Sequence, residues 1–263
     1  MSVLRSRDNP RVRRWHALAR DGRVRKSERS ALIEGPHLLA AHLDSGARPR
    51  AVLVSESGKE KSEIAALVQR SGITPVTLPD ALFRWLADAA SPAGLAAEIE
   101  IPASTAFPTP PADCVFLEGI QDAGNVGAIL RSAAAFGVRH AVLARGCADP
   151  WSPKVLRAAM GGHFSLGVRE VEDLIPVLGS FGGTLVCTVV QGGRPLGELE
   201  LRGATGWIFG AEGQGVSAQV AALAAERATI PLAPNTESLN VAAAAAICFY
   251  ERARRLSTRG ARS

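Results

Sequence analysis

At 263 residues, with 47% hydrophobic and 21% charged side chains, the chain is long enough for two ordinary domains, each with a buried core. No apolar run reaches a membrane span and the charged N-terminus MSVLRSRDNPRVRR lacks a secretion signal's apolar core, so a cytoplasmic protein is expected; Cys114, Cys147, Cys187 and Cys248 are too scattered for a disulfide or metal site. The net charge of +5 is uneven, with +7 on residues 1–29, +4 on 251–263 and −6 between them, a distribution that suits polyanion binding.

Residues 1–29 read as a basic arm. Asn9-Pro10 starts a turn, and Val12, Trp15 and Leu18 at helical spacing imply a short helix carrying Arg11, Arg13 and Arg14. Trp15 fits packing better than base stacking, since one aromatic is thin support for the latter. Over 30–100, strands at Ala31–Ile33, Ala51–Ser55, Thr74–Leu78 and Leu95–Ile101 alternate with helices at Pro36–Leu43, Ser62–Arg70 and Ala81–Leu86, a small α/β domain. Glu34 and His37 lie in what reads as a surface turn. Residues 101–112 contain Pro102, Pro108, Pro110 and Pro111, a density that stiffens a linker and excludes a sheet interior.

The second domain, 113–256, opens with the apolar run Cys114–Glu118, suited to a buried parallel strand. The stretch DAGNVGAILRSAAAFGV (122–138) follows: a glycine turn, Asn125 as N-cap, then a helix with Val126, Ile129, Leu130 and Ala133 on one stripe and Arg131 opposite it. A strand is expected at His140–Ala144, a helix from Trp151 through Met160, a helix near Val171–Leu178 and a long strand at Leu185–Val190. Then comes WIFGAEGQGVS (207–217), a short strand running into Gly210, Glu212, Gly213 and Gly215, with a helix at Ser217–Glu226 and a last strand at Ala228–Pro231. Finally IPLAPNTESLNVAAAAAICFYE (230–251) passes from a polar run into an alanine-rich helix, expected from Leu239 to Leu256. Ser238 is the expected cap and the helix is expected to be buried on all sides. Residues 257–263 are a basic tail. The alternation points to a parallel sheet covered on both faces, with ligands beyond the carboxyl ends of its strands. The glycine turn at 210–215 lacks the G-x-G-x-x-G spacing of a dinucleotide site, and no phosphate-binding G-x-x-x-x-G-K-[ST] occurs.

These three stretches, in this order and at these junctions, resemble the signature motifs of the SpoU (TrmH-like) family of RNA ribose 2′-O-methyltransferases. The resemblance covers about 113–255 well. More weakly, 30–100 resembles the L30e-like substrate-binding domain that precedes many such catalytic domains, with ALIEGPHLL (31–39) its most recognisable phrase. It implies a parallel-sheet α/β catalytic domain with a C-terminal trefoil knot (SPOUT-like), a homodimer, and S-adenosylmethionine held around Thr188, Gly210, Ile230 and Leu239. On the family pattern Arg131 acts at the ribose 2′-OH. An arginine is a poor base, so binding a phosphate and stabilising the forming alkoxide suits it better. Asn125 and Glu212 would orient Arg131 and substrate, while Ser238 and Asn240 hold the pocket and ribose. Without the resemblance, Glu212 reads as a helix cap and Asn125 as a plain N-cap. Many relatives have a glycine where this chain has Ala233-Pro234-Asn235. The expected substrate is RNA, with ribosomal RNA favoured, and Arg11, Arg13 and Arg14 are candidate contacts to it; no metal and no membrane are implied. The alternatives are a transfer-RNA 2′-O-methyltransferase, a non-catalytic RNA-binding protein of the same fold, and a small-molecule methyltransferase, which the basic ends disfavour.

Overall fold

The Asn9 side chain accepts a hydrogen bond from the Arg11 N–H at 3.0 Å and Pro10 opens helix α1 (Pro10–Arg20) in the computed structural model, which describes residues 2–103 and 110–260. Residues 104–109 of the expected linker, with Pro108, and 261–263 of the tail, with Arg262, lie outside the described residues. The chain divides into two units. One comprises Met1–Ala103 with Asp149–Phe164, the other Ser104–Ala148 with Ser165–Ser263.

In the first unit β1 (Ser2–Val3), α1, α2 (Gly22–Glu28), β2 (Ser30–Glu34), α3 (Pro36–Asp44), β3 (Ala51–Ser55), α4 (Ser62–Ser71), β4 (Val76–Leu78), α5 (Asp80–Leu86) and β5 (Leu95–Glu100) follow in order. The sheet runs β1-β4-β3-β5-β2, with β5 antiparallel to both of its neighbours. The basic arm does not stand apart from this body. Val12, Trp15, Leu18 and Ala19 are buried in one core with Leu53, Leu78 and Phe83. Trp15 is packing, as its burial shows, and its Nε1 donates to Glu98 Oε2 at 2.8 Å.

The arm's charges therefore divide. Arg14 donates two bonds of 2.8 Å to the carboxylate of Glu98, and Arg25 is buried against Asp149 and the Leu18 carbonyl. Burial opposes the charge on Glu98, yet the bonds from Arg14 and Trp15 hold its carboxyl below the ordinary value. Arg11 and Arg13 remain exposed.

Residues 149–164, which the expected boundaries put in the second domain, pack with the first unit. Their helix α7 (Pro153–Ala159) lies against β2, burying Val155, Leu156 and Ala159. Arg157 reaches Asp88 at 2.7 Å and Glu34 at 3.5 Å. Glu34 is thus no surface residue: it is buried and accepts the backbone N–H groups of Asp88 and Ala89. His37 bonds the Met160 carbonyl at 3.2 Å.

The second unit contains β6 (Cys114–Glu118), α6 (Ala123–Ala135), β7 (His140–Ala144), β8 (Gly167–Val171), α8 (Ile175–Gly179), β9 (Thr184–Thr188), β10 (Arg194–Pro195), β11 (Thr205–Gly210), the single turn α9 (Ala218–Ala221), β12 (Glu226–Thr229) and α10 (Val241–Gly260). All seven strands are parallel, in the order β10-β12-β9-β11-β6-β7-β8. Cys114–Leu117 and Gly206–Phe209 are buried as central strands should be. Strand β8 was not expected, because Gly167-Val-Arg-Glu-Val is an edge strand with no buried residue. The helix expected at 217–226 shrinks to α9, whose N-terminus is capped by Ser217.

Helix α10 departs from its expectation twice. It begins at Val241 and its cap is Asn240, whose Oδ1 accepts the N–H groups of Ala242 and Ala243 at 3.0 and 3.3 Å, so Ser238 is not the cap. Nor is it buried all round. Ala242, Ala245, Cys248, Phe249 and Arg252 face inward, whereas Ile247 and Tyr250 are 39% and 54% exposed. An alanine run hides the polarity pattern by which one helix face is told from another.

Candidate active site

Because every strand of the second sheet points the same way, the ends of β6, β9, β11 and β12 lie along one edge. The register pairs Gly210, at the end of β11, with Glu118, at the end of β6. From β12, outside β9, the chain must return across these ends to start α10, which packs on α6 and β11. The segment 230–240 makes that crossing, so it overhangs the strand ends where parallel sheets bind ligands.

Two turns shape the opposing walls. Gly210 has no room for a side chain, since a Cβ there would lie inside the backbone of Gly215 and Val216. The loop closes on itself through the Gly215 N–H to the Ala211 carbonyl at 2.8 Å. Glu118 fastens its far end by accepting the N–H and Oγ–H of Ser217 at 2.8 and 2.7 Å. In the crossing segment, the Thr236 N–H bonds the Ala233 carbonyl at 3.3 Å with Asn235 at φ +65°. Proline second and a left-handed asparagine third is the pattern of a type II turn, which explains how Ala233-Pro234-Asn235 can stand where a glycine was anticipated.

Between these walls lies a cleft of about 740 Å³, within the range of small-molecule sites. Thr188, Gly210, Glu212, Ile230, Ser238, Leu239 and Asn240 all line it. The Thr188 hydroxyl is already committed to the Ile208 carbonyl at 3.0 Å, so this residue offers chiefly its surface and backbone. Val189, Leu232, Glu237 and Val241 also line the cleft and were missed; as ordinary strand, loop and helix residues they carry no signal of their own. The lining joins apolar wall, free backbone and the carboxylates of Glu212 and Glu237, which fits a compact ligand with a flat apolar part and a cationic centre.

At one end of the cleft three segments are tied together. Asn125 Nδ2 donates to Glu212 Oε1 at 2.7 Å. Asn240 Nδ2 donates to Asn125 Oδ1 at 2.9 Å and to Glu212 Oε1 at 3.2 Å. Asn125 is free to do this because Asp122, not Asn125, caps α6, accepting the Asn125 N–H at 2.8 Å. Glu212 is likewise not a helix cap, since Ser217 caps α9.

Arg131 is not part of this tie and does not line the cleft. It is exposed on α6, six residues beyond Asn125, and forms no hydrogen bond or ion pair with a described residue. Arg11, Arg13 and Arg14 belong to the other unit.

No thiol is poised for reaction. Burial pushes Cys248 up to about 12 and raises Cys114, Cys147 and Cys187 as well. Among the described residues no group of three His, Cys, Asp or Glu side chains could hold a metal ion, and no helix is long and apolar enough to cross a membrane.

Comparison with known proteins adds a family to this geometry. Residues 113–250 match the model of the SpoU rRNA methylase family, and residues 9–97 that of the MRM3-like substrate binding domain. An uncharacterized tRNA/rRNA methyltransferase of Synechocystis is 36% identical over 95% of this chain and 93% of its own. The 23S rRNA guanosine 2′-O-methyltransferase RlmP of Bacillus subtilis is 30% identical, with 95% and 98% covered. Among solved structures, the SpoU methyltransferase AviRb of Streptomyces viridochromogenes in complex with AdoMet superposes with a TM-score of 0.83 at 25% identity, covering 94% of this chain and 98% of that one.

Proposed function

The chain belongs to the SpoU rRNA methylase family, and we propose that it transfers a methyl group from S-adenosylmethionine to a ribose 2′-hydroxyl of RNA, ribosomal RNA being the favoured substrate. The observation that carries this reading is the convergence of Asn125, Glu212 and Asn240 at the end of the cleft.

The residues present fit the cofactor. Gly210 lets the backbone of Gly215 and Val216 pack where a side chain would stand, so that main chain forms this wall, Ile230 and Leu239 provide apolar surface for the adenosine portion, and Thr188 lines the cleft with them. S-adenosylmethionine, when bound, supplies an electrophilic methyl group. The protein's task is then to hold the ribose oxygen in line and to stabilise the charge that grows on it. Asn125, Glu212 and Asn240 form a rigid set of amide and carboxylate groups that orients the ribose, with Ser238, whose hydroxyl bonds no described residue, free to bond ribose or cofactor. Arg131, exposed and without an acidic partner among the described residues, is suited to the phosphate beside the reacting ribose and to the developing alkoxide. Its permanent charge makes it a clamp rather than a base.

The finer features follow from the same reading. The crossing of 230–240 from outside β9 back to α10 supports a trefoil knot. The exposed Ile247, Tyr250 and Leu256 on α10 support a homodimer built on that helix. The first unit is read as L30e-like and substrate-binding, and the protein as cytoplasmic.

Incubating the purified protein with methyl-labelled S-adenosylmethionine and ribosomal or transfer RNA tests the reaction. Mapping 2′-O-methyl positions in cells with and without the gene identifies the nucleotide. Absence of label in any RNA, with the cofactor bound, would overturn the assignment.

A further inference from the structure

Where α1 meets α5 in the first unit, three side chains from separate segments form a stack. The His16 ring lies on the Trp85 ring with centroids 3.8 Å apart and planes within 7°. The Arg7 guanidinium stands 5.1 Å from the centre of the same indole. Of the chain's four tryptophans, Trp15, Trp151 and Trp207 are buried, and Trp85 alone is partly exposed.

Two of the charges around the stack have no acidic partner among the described residues. Arg7 and Arg13 are exposed, and neither forms an ion pair with a described residue. Arg13 precedes His16 by three residues, so both stand on one stripe of α1. Arg20, on the same stripe, is committed to Asp88 at 2.9 Å. Burial, then Arg20 and Arg7, holds the His16 imidazole below its ordinary value, which leaves its ring a neutral flat surface.

Interior packing between two helices has no need of exposed guanidiniums without acidic partners beside a partly exposed indole. Single-stranded RNA does: an unpaired base needs a flat ring to stack on, and its phosphates need cations nearby. A protein partner would favour an apolar patch, yet among the described residues the large apolar side chains exposed in this unit are only Val3 and Met160. We infer that the Arg7–Trp85–His16 stack is a platform for one unpaired RNA base, with Arg7 and Arg13 on the adjoining phosphates. This inference rests on the reading of the protein as an RNA methyltransferase and adds a substrate-holding surface outside the methylation site.

The full-length protein, titrated with an unstructured single-stranded RNA oligonucleotide while tryptophan emission is followed, provides the test. Because the other three tryptophans are buried, quenching reports on Trp85. Quenching should saturate in the parent protein and disappear in Trp85→Phe, which keeps a stacking ring and binds within about twofold by anisotropy. Trp85→Ala should weaken binding about tenfold. Arg7→Ala and Arg13→Ala, both at exposed positions, should each lower the slope of log affinity against log salt by about 0.7.

RNA that binds without altering emission, or Trp85→Ala and Arg7→Ala binding with parental affinity and salt slope, overturns the platform. Methyl transfer to ribosomal RNA is measured in parallel. Its absence while Trp85-dependent binding persists would sink the enzyme reading and leave the platform standing. Transfer with binding indifferent to Trp85 would do the reverse.

Discussion

Asn240 Nδ2 donates to Asn125 Oδ1 at 2.9 Å, joining two residues 115 positions apart, while the Oδ1 of the same Asn240 caps α10. One side chain thus both starts the last helix and fixes the end of the cleft. Asn240→Asp keeps a capping oxygen, loses the donor, and sets a carboxylate against Glu212. It should change stability by less than about 0.5 kcal/mol and reduce methyl transfer at least tenfold, whereas Asn240→Ala should also lose about 1 kcal/mol of stability. Denaturation curves and single-turnover transfer rates separate the two; a fully active Asn240→Asp would mean the tie is dispensable.

Arg131→Ala should cut methyl transfer by about 10²–10³-fold while S-adenosylmethionine binding, measured by calorimetry, stays at the parental level. Cofactor binding is spared because Arg131 does not line the cleft. Unimpaired transfer would remove Arg131 from the reaction.

Gly210→Ala places a methyl group inside the backbone of Gly215 and Val216. Relieving that overlap moves the wall of the cleft. The expected cost is about 1–3 kcal/mol in stability, with S-adenosylmethionine affinity weakened about tenfold or more.

Arg14 and Arg13 are neighbours with opposite expected phenotypes. Arg14→Ala strips a buried carboxylate of two hydrogen bonds and should cost about 2 kcal/mol in stability without changing the salt dependence of RNA binding. Arg13→Ala should leave thermal unfolding unchanged and flatten the salt dependence. Equal salt slopes in the two variants would refute the division.

His163 is fully enclosed beside Trp151, and burial lowers it from 6.5 to about 4. Between those values the unfolded chain takes up a proton that the folded chain refuses, so stability is full above pH 6.5 and falls as the pH drops toward 4. The loss is on the order of 3 kcal/mol. Denaturation at pH 7.5 and pH 4.5 should show it, and His163→Gln should flatten the difference; an unchanged slope in that variant would assign the acid sensitivity elsewhere.

The sequence discloses these features unevenly, for physical reasons. Strands β3, β6, β7 and β11 are legible because interior strands are continuous apolar runs between turn residues, and β2, though at the edge of its sheet, because all five of its residues are buried. Strand β8 is not, because an edge strand with Arg169 and Glu170 in it imposes no such pattern. The cap of α10 is misread because Ser238 and Asn240 are equally good capping residues, and only the path of the crossing segment decides between them. The approach of Asn125, Glu212 and Asn240 is set by the sheet order, which residue spacing does not encode; motif resemblance alone foretells it. The pairing of Arg14 with Glu98 is equally hidden, because the two lie 84 residues apart in the chain.

The detour of residues 149–164 into the first unit bears on how the molecule can be cut and how it is made. A gene fragment starting at the proline-rich segment would carry α7 with Val155, Leu156 and Ala159 bereft of the strand they cover, and Arg157 bereft of Glu34 and Asp88. On the ribosome, the N-terminal core stays incomplete until residue 164 has emerged, by which point β6, α6 and β7 are already outside the exit tunnel. The first unit therefore cannot complete its core until much of the second has been synthesised, and a dissection that respects this must graft 149–164 onto the amino-terminal piece.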